Sequence, residues 1–143
     1  MKIQVKRIDK SLPLPTYETK GAVGFDLLAR ESVEVAPGLI ERVPGNVIVK
    51  VPQGYALLVI SRSSTPQKHG LMKPHGVGVI DQDYCGEGDE VMIQVYNFTQ
   101  KSVMIERGMR IAQGLLVRVD RFELEEVDEM NQESRGGFGS TGV

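Results

Sequence analysis

A chain of 143 residues, 41% hydrophobic and 25% charged, is long enough for one globular domain with a real core and too short for two. Its net charge of −2 at pH 7 excludes general nucleic-acid binding by bulk electrostatics, so any phosphate recognition has to be local. There is no run of 18 apolar residues, the opening MKIQVKRIDK lacks the apolar stretch of a signal peptide, and Cys85 is the single cysteine, so a soluble cytoplasmic protein with no membrane partner and no internal disulfide is expected.

Segments of strand character follow one another along the chain. KIQVKR (2–7), LIERV (39–43), NVIVKV (46–51), YALLVIS (55–61), VMIQVYN (91–97), SVMIE (102–106) and LLVRVD (115–120) alternate or are rich in β-branched residues. Pro37-Gly38, Pro44-Gly45 and Gln53-Gly54 mark turns between them. No convincing helical stripe free of glycine and proline is present; SSTPQKHG (63–70) suits one helical turn begun from a serine cap. This rhythm predicts an all-β chain, a sandwich or jelly roll. After Asp120 the sequence turns acidic, FELEEVDEMNQE, and its alternation stops after Val127, which divides the chain into a body of residues 1–127 and a flexible arm of residues 128–143.

Five stretches interrupt this pattern with glycine and polar residues. In GAVGFDLLAR, Asp26 stands directly before an apolar pair, where a strand-entry aspartate makes a local turn bond. In ISRSSTPQKHG, Arg62, Ser63 and Ser64 follow an apolar strand; an arginine fork with two hydroxyls suits a phosphate oxyanion, and a serine cap beside a surface arginine presents the same residues. In HGVGVIDQDYCGEGDE, Gly76 and Gly78 permit close approach of backbone to a ligand, and Asp81, Asp83 and Tyr84 follow. A carboxylate beside apolar Val79 and Ile80 is partly desolvated, a condition that suits a general base; a hairpin with Asx turns has the same composition. In ERGMRIAQGLLVRVD, Gln113 is a candidate buried amide that needs partners in the fold or in a ligand.

The last stretch, RGGFGSTG, holds Arg135, glycine amides able to nest an anion, Ser140 and Thr141, and also Phe138, an aromatic with no core to pack on unless a partner supplies a flat apolar face such as a nucleobase. It is not the GxxxxGK[ST] loop of ATPases, and neither a G-x-S-x-G elbow nor an H-E-x-x-H helix occurs. His69 and His75 stand six apart with no cysteine beside them, a weak metal pair.

Taken together and in this order, GAVGFDLLA, SRSS, GVGVIDQDY, GMRIAQ and RGGFGSTG strongly resemble the five motifs of the trimeric all-β dUTPases, the deoxyuridine triphosphate nucleotidohydrolases. The resemblance implies a jelly-roll-like subunit with a flexible C-terminal arm, assembled as a homotrimer whose active sites are shared between subunits. It implies hydrolysis of dUTP to dUMP and pyrophosphate, which keeps uracil out of DNA and supplies dUMP for thymidylate synthesis. On that likeness the hairpin backbone at Gly78, Val79 and Ile80 reads uracil, and Tyr84 lies under the deoxyribose with no space for a 2′-hydroxyl. Arg62, Ser63, Ser64 and Gln113 contact the triphosphate, and Asp81 holds and deprotonates the attacking water. Mg²⁺ is chelated by the phosphates with no direct protein ligand, Asp26 reaching it through water. Phe138 covers the base while Arg135, Gly139, Ser140 and Thr141 close over the outer phosphates.

Four features depart from the family pattern. The segment from Gly86 to Asn97 is longer, Cys85 stands where a basic or polar residue is common, His75 replaces a frequent asparagine, and Gly114 replaces an apolar residue after RIAQ. A dCTP deaminase, a bifunctional deaminase and dUTPase, or a non-catalytic dUTP sensor resembles the same fold and stands as the alternative; IDQDY and the RGGFGSTG lid favour the diphosphatase.

Overall fold

The computed structural model describes residues 2–137. Among them the chain forms β1 (Gln4–Arg7), β2 (Phe25–Leu28), β3 (Val33–Val35), β4 (Ile40–Pro44), β5 (Val47–Lys50), β6 (Tyr55–Ser61), α1 (Thr65–His69), β7 (Leu71–Met72), β8 (Gly78–Ile80), β9 (Met92–Asn97), β10 (Val103–Ile105) and β11 (Arg110–Arg118). Each of the seven segments with visible alternation holds a strand. The strands the alternation did not reveal are β2, β3, β7 and β8, two to four residues long; β2 and β8 lie inside stretches that glycine and polar residues interrupt. β11 also begins five residues ahead of LLVRVD, because Gln113 and Gly114 break the apolar rhythm inside a strand whose backbone pairs on both edges.

All pairings are antiparallel, in the orders β2-β11-β6-β8, β4-β9-β7, β1-β5 and β3-β10, the arrangement of a jelly-roll-like sandwich. The long β6–β11 pair runs in unbroken register from Ala112 opposite Ser61 to Arg118 opposite Tyr55. Leu27, Leu57, Leu71, Ile93 and Ile105 are fully shut off from solvent between the sheets. Burying each such side chain stabilises the fold by about 1.5–3 kcal/mol relative to leaving it in water. The fully buried amide is Asn97, not Gln113: Nδ2 donates to the carbonyls of Val35 and Lys101 at 2.8 and 2.7 Å, and Oδ1 accepts from Thr99. Gln113 is half-buried.

Local turn chemistry also differs from expectation in two places. Pro44 closes β4 and the bend falls one residue later, on Gly45 and Asn46, with Asn46 left-handed at φ 66°. A Cβ on Gly45 would lie 2.6 Å from the Val91 carbonyl, so only glycine lets the turn approach that strand. Ser64 stands at the N-cap position of α1 but makes no side-chain cap bond; Gly70, at φ 63°, closes the other end. The Val119 amide donates to the Gly54 carbonyl, and residues 120–137 are exposed throughout, Phe122 at 80% and Leu124 at 94%. No helix among the described residues is long and apolar enough to cross a membrane.

Candidate active site

Strand register builds the first cluster. Asp26 on β2 lies opposite Gln113 on β11, and Gln113 lies opposite Ile60 on β6, so Arg62, just beyond the end of β6, arrives beside both. The Arg62 Nε is 2.9 Å from Asp26 Oδ1, and its Nη1 donates to the Arg110 carbonyl at 3.2 Å. Arg110 Nη1 is 3.4 Å from Asp26 Oδ2 and 3.1 Å from Glu18 Oε2. Gln113 Nε2 donates to the Ser61 carbonyl at 3.2 Å, which leaves its oxygen facing Gly24, where a Cβ would come within 2.9 Å.

Asp26 is therefore not a turn-bonding residue at a strand entry. It sits inside β2, its side chain 13% exposed, and fixes the Arg62 guanidinium in place. Its Oδ2 is buried and accepts no hydrogen bond among the described residues, since the Arg110 contact is a charge contact without bonding alignment. Arg62 keeps further N–H donors for a ligand, with the hydroxyls of exposed Ser63 and half-buried Ser64 beside it. Arg110 and Glu18 belong to the cluster and were not singled out from sequence. The signal for Arg110 was its place three residues before Gln113, at an irregularity in the β2–β11 register that re-aims its side chain.

The second cluster is the hairpin that ends in β8. Gly76 is left-handed at φ 72°, and His75 Nδ1 lies 2.9 Å from the Val77 carbonyl. A Cβ on Gly78 would stand 3.3 Å from the His75 ring and 3.4 Å from Val59, so the His75 side chain braces the hairpin. β8 pairs with β6 on one edge and is the last strand of its sheet, so its other backbone edge is available to a ligand. Asp81 follows β8 and is exposed, as are Val77 and Val79. The expected desolvation of Asp81 by its apolar neighbours is absent within one chain, because Val79, on the same face two residues away, points into solvent. Asp81 lines an open cavity of about 500 Å³ with Tyr55, Gln82, Asp83, Val119 and Arg121. Tyr84 is 38% exposed and its hydroxyl donates to the Glu90 carbonyl at 3.1 Å.

The two clusters do not meet. Ile80 lies opposite Leu57, which sets Asp81 beside Ala56, whereas Arg62 follows the far end of β6. At about 3.3 Å per residue that separation is about 20 Å.

Of the remaining candidates, Arg135 is exposed, and Phe138, Gly139, Ser140 and Thr141 lie outside the described residues. Among the described residues no three His, Cys, Asp or Glu side chains stand together as a metal site. Gly114 has a structural reason: a Cβ there would come within 2.6 Å of the Phe25 ring, which fills the space itself and packs edge-on against Tyr17. Cys85 is a half-buried free thiol 3.7 Å from the Gln82 carbonyl.

A family model described as dUTPase matches residues 10–142. The chain is 38% identical to the deoxyuridine 5′-triphosphate nucleotidohydrolase of Dictyoglomus turgidum, with 100% of this chain and 99% of that one aligned. It is 40% identical to the enzyme of the same name from Acinetobacter baumannii, covering 99% of each. Its fold is similar to the crystal structure of the Staphylococcus bacteriophage 80alpha dUTPase with dUPNHPP, at a TM-score of 0.87, 28% identity and 99% of both chains.

Proposed function

The chain belongs to the dUTPase family, and we propose on that premise that it hydrolyses dUTP to dUMP and pyrophosphate in sites shared between the copies of a homotrimer. The observation that carries the shared site is the distance between the two clusters. A base and the groups that grip the phosphates must act on one water and one phosphorus, within hydrogen-bond reach of each other, and about 20 Å along one strand cannot provide that. A second copy can bring its Arg62 end to the Asp81 end of the first. Exposed Val77, Val79, Phe122 and Leu124 are the surfaces that such an assembly would cover.

In this reading Arg62, held by Asp26, grips the triphosphate with Ser63, Ser64 and Gln113 and is already oriented before substrate arrives. Its rigidity matters because phosphoryl chemistry depends on positioning and on stabilising charge at the equatorial and leaving oxygens. Asp81, covered by the second copy, takes the proton of the water that attacks the α-phosphorus. The free backbone edge of β8 reads uracil and the Tyr84 ring underlies the sugar. Arg135 and the segment 138–141 close over the substrate, with Phe138 stacked on the base, and exclude bulk water.

The chain's own residues suit Mg²⁺ carried in by the substrate. Asp26 Oδ2 is a buried acceptor with no hydrogen bond, fit to receive one from an ion-bound water, and no cluster among the described residues competes for the ion. Bound to the triphosphate, Mg²⁺ supplies charge neutralisation at the phosphate oxygens. The single cysteine suits the reducing cytoplasm, where dUTP removal keeps uracil out of DNA.

A nucleotide panel tests the activity. Incubation with dUTP, dCTP, dTTP and UTP should release pyrophosphate from dUTP far faster than from the others, without ammonia. Ammonia from dCTP would reinstate the deaminase alternative, and no pyrophosphate from dUTP would leave a binding-only protein.

A further inference from the structure

Tyr84 is followed by a detour that the strand pattern does not explain. Gly86 and Asp89 close a tight turn, with Gly86 N–H donating to Asp89 Oδ2 at 2.6 Å and Asp89 N–H to the Gly86 carbonyl at 3.1 Å. The chain then returns Glu90 to the Tyr84 hydroxyl, which donates to its carbonyl at 3.1 Å. The side chain of that same Glu90 is clamped. Arg30, two residues beyond β2, meets it as a fork, Nε to Oε1 at 2.9 Å and Nη2 to Oε2 at 3.0 Å, and the Asn46 amide donates to Oε1 at 2.8 Å. The carboxylate side chain is 13% exposed and the guanidinium 24%, so the pair is largely out of water, where a two-bond fork fixes geometry. On the backbone, Val91 N–H donates to the Val47 carbonyl at 2.8 Å, which locks the Glu90–Val91 peptide from the opposite side.

We infer that the Arg30–Glu90 fork is a positioning device for Tyr84, holding the ring where it rejects a 2′-hydroxyl. The inference rests on the reading of Tyr84 as the surface beneath the deoxyribose. Tyr84 is more than one-third exposed, so packing alone leaves its ring free to shift. Its far end is fixed by one hydrogen bond, and the acceptor of that bond belongs to the residue that Arg30 and Asn46 hold. Excluding one hydroxyl demands sub-ångström placement of a wall, which a tethered ring supplies and a loose ring does not. Removing the tether thus lowers the ratio of kcat/KM for dUTP over that for UTP.

The test compares the ratio of kcat/KM for dUTP over UTP across Tyr84→Ala, Tyr84→Phe, Glu90→Gln, the double variant Tyr84→Phe/Glu90→Gln, and Lys101→Gln as control. Lys101 is an exposed residue of the loop between β9 and β10, outside the hydrogen-bonded chain that holds Glu90, so its loss reports only general loosening. The expected result is a ratio lowered about three- to tenfold in Tyr84→Phe, the worth of one lost hydrogen bond, and lowered in the same direction in Glu90→Gln, which keeps the main-chain acceptor but loses the charged fork that fixes it. The double variant should be no worse than the poorer single, because both changes loosen the same tether. Tyr84→Phe removes only an exposed hydroxyl, so it folds even if Glu90→Gln does not. If Tyr84→Ala collapses the ratio while Tyr84→Phe stays within twofold of the parent, the fork is structural and the inference is wrong. An unchanged ratio in Tyr84→Ala overturns the sugar reading and the inference with it.

Discussion

The two ends of β6 are finished to different degrees within one chain. At the Arg62 end each charged side chain meets an opposite charge from its own chain: Arg62 meets Asp26, and Arg110 meets Asp26 and Glu18. At the Asp81 end the carboxylate is exposed, Val77 and Val79 face solvent, and the outer edge of β8 pairs with nothing in its sheet. Groups that bind highly charged phosphates gain from being rigid before substrate arrives, and internal ion pairs supply that rigidity. A base instead needs to be dry only when the site is complete, and its cover has to come from outside the chain. The contrast is what the proposed division of the site between copies predicts for a single copy.

The largest expected effect lies at the open end. Asp81→Asn should lower kcat for dUTP by about 10²- to 10⁴-fold with little change in nucleotide affinity, because the amide holds a water without accepting its proton. Turnover within threefold of the parent would remove Asp81 from the role. Next is the arm: deletion of residues 135–143 should leave the folded assembly intact by light scattering and lower kcat/KM by roughly 10²-fold, from the loss of one arginine contact and one stacked ring. Full activity without those residues would make RGGFGSTG a simple chain end.

A smaller effect is expected at the closed end. Arg110→Gln removes one guanidinium next to Asp26 and should raise KM for dUTP about tenfold while kcat holds, since the group supports the phosphate grip but touches no reacting atom. A fall in kcat with KM unchanged would move Arg110 into the chemistry. The smallest expected change is in stability. Lys73, between β7 and the hairpin, is 6% exposed, its Nζ has no hydrogen-bond partner among the described residues, and burial pushes its ammonium down from 10.5. Replacing it with Met should raise stability by about 1–3 kcal/mol, measured by denaturant unfolding at pH 7. The sign follows from proton binding. The unfolded chain holds the proton more tightly than the folded one, so the cost is full below the lowered folded value and fades as pH rises toward 10.5. The gain from Lys73→Met should shrink over the same window. Destabilisation by this change would mean that a neighbouring copy supplies an anion at the hairpin end, which would sharpen the contrast further.

How much of this was legible in the sequence depended on range. Seven strands announced themselves because alternation is a local property; β2 and β8 did not, lying inside stretches that glycine and polar residues interrupt, nor did the short β3 and β7. Motif residues such as Asp81, Gln113 and Arg62 were legible through their resemblance to a family, not through any single local pattern. Asp26 was misread as a turn residue because its partners stand 36 and 84 positions away. Arg110 was not singled out, because only the register with β2 turns it toward Asp26. Glu90 escaped for the same reason, since Arg30 is 60 residues distant. The desolvation expected for Asp81 was a local inference from Val79 and Ile80, and one chain alone does not supply it, because Ile80 faces the other way and Val79, on the same face, is itself in solvent. Gln113 was expected to be buried by its apolar neighbours, yet its side chain stays half in water although its strand is paired on both edges.

Mixing of defective subunits tests the shared site most directly. Asp81→Asn and Arg62→Ala are each prepared as inactive homotrimers, unfolded together in equal amounts, refolded, and assayed for pyrophosphate release from dUTP. If each site joins the Asp81 end of one copy to the Arg62 end of another, random assembly pairs two intact ends in about a quarter of the sites, and activity should recover to about that fraction of the refolded parent. A mixture as inactive as its two components, with mixed trimers demonstrated by native mass spectrometry, would contradict the account.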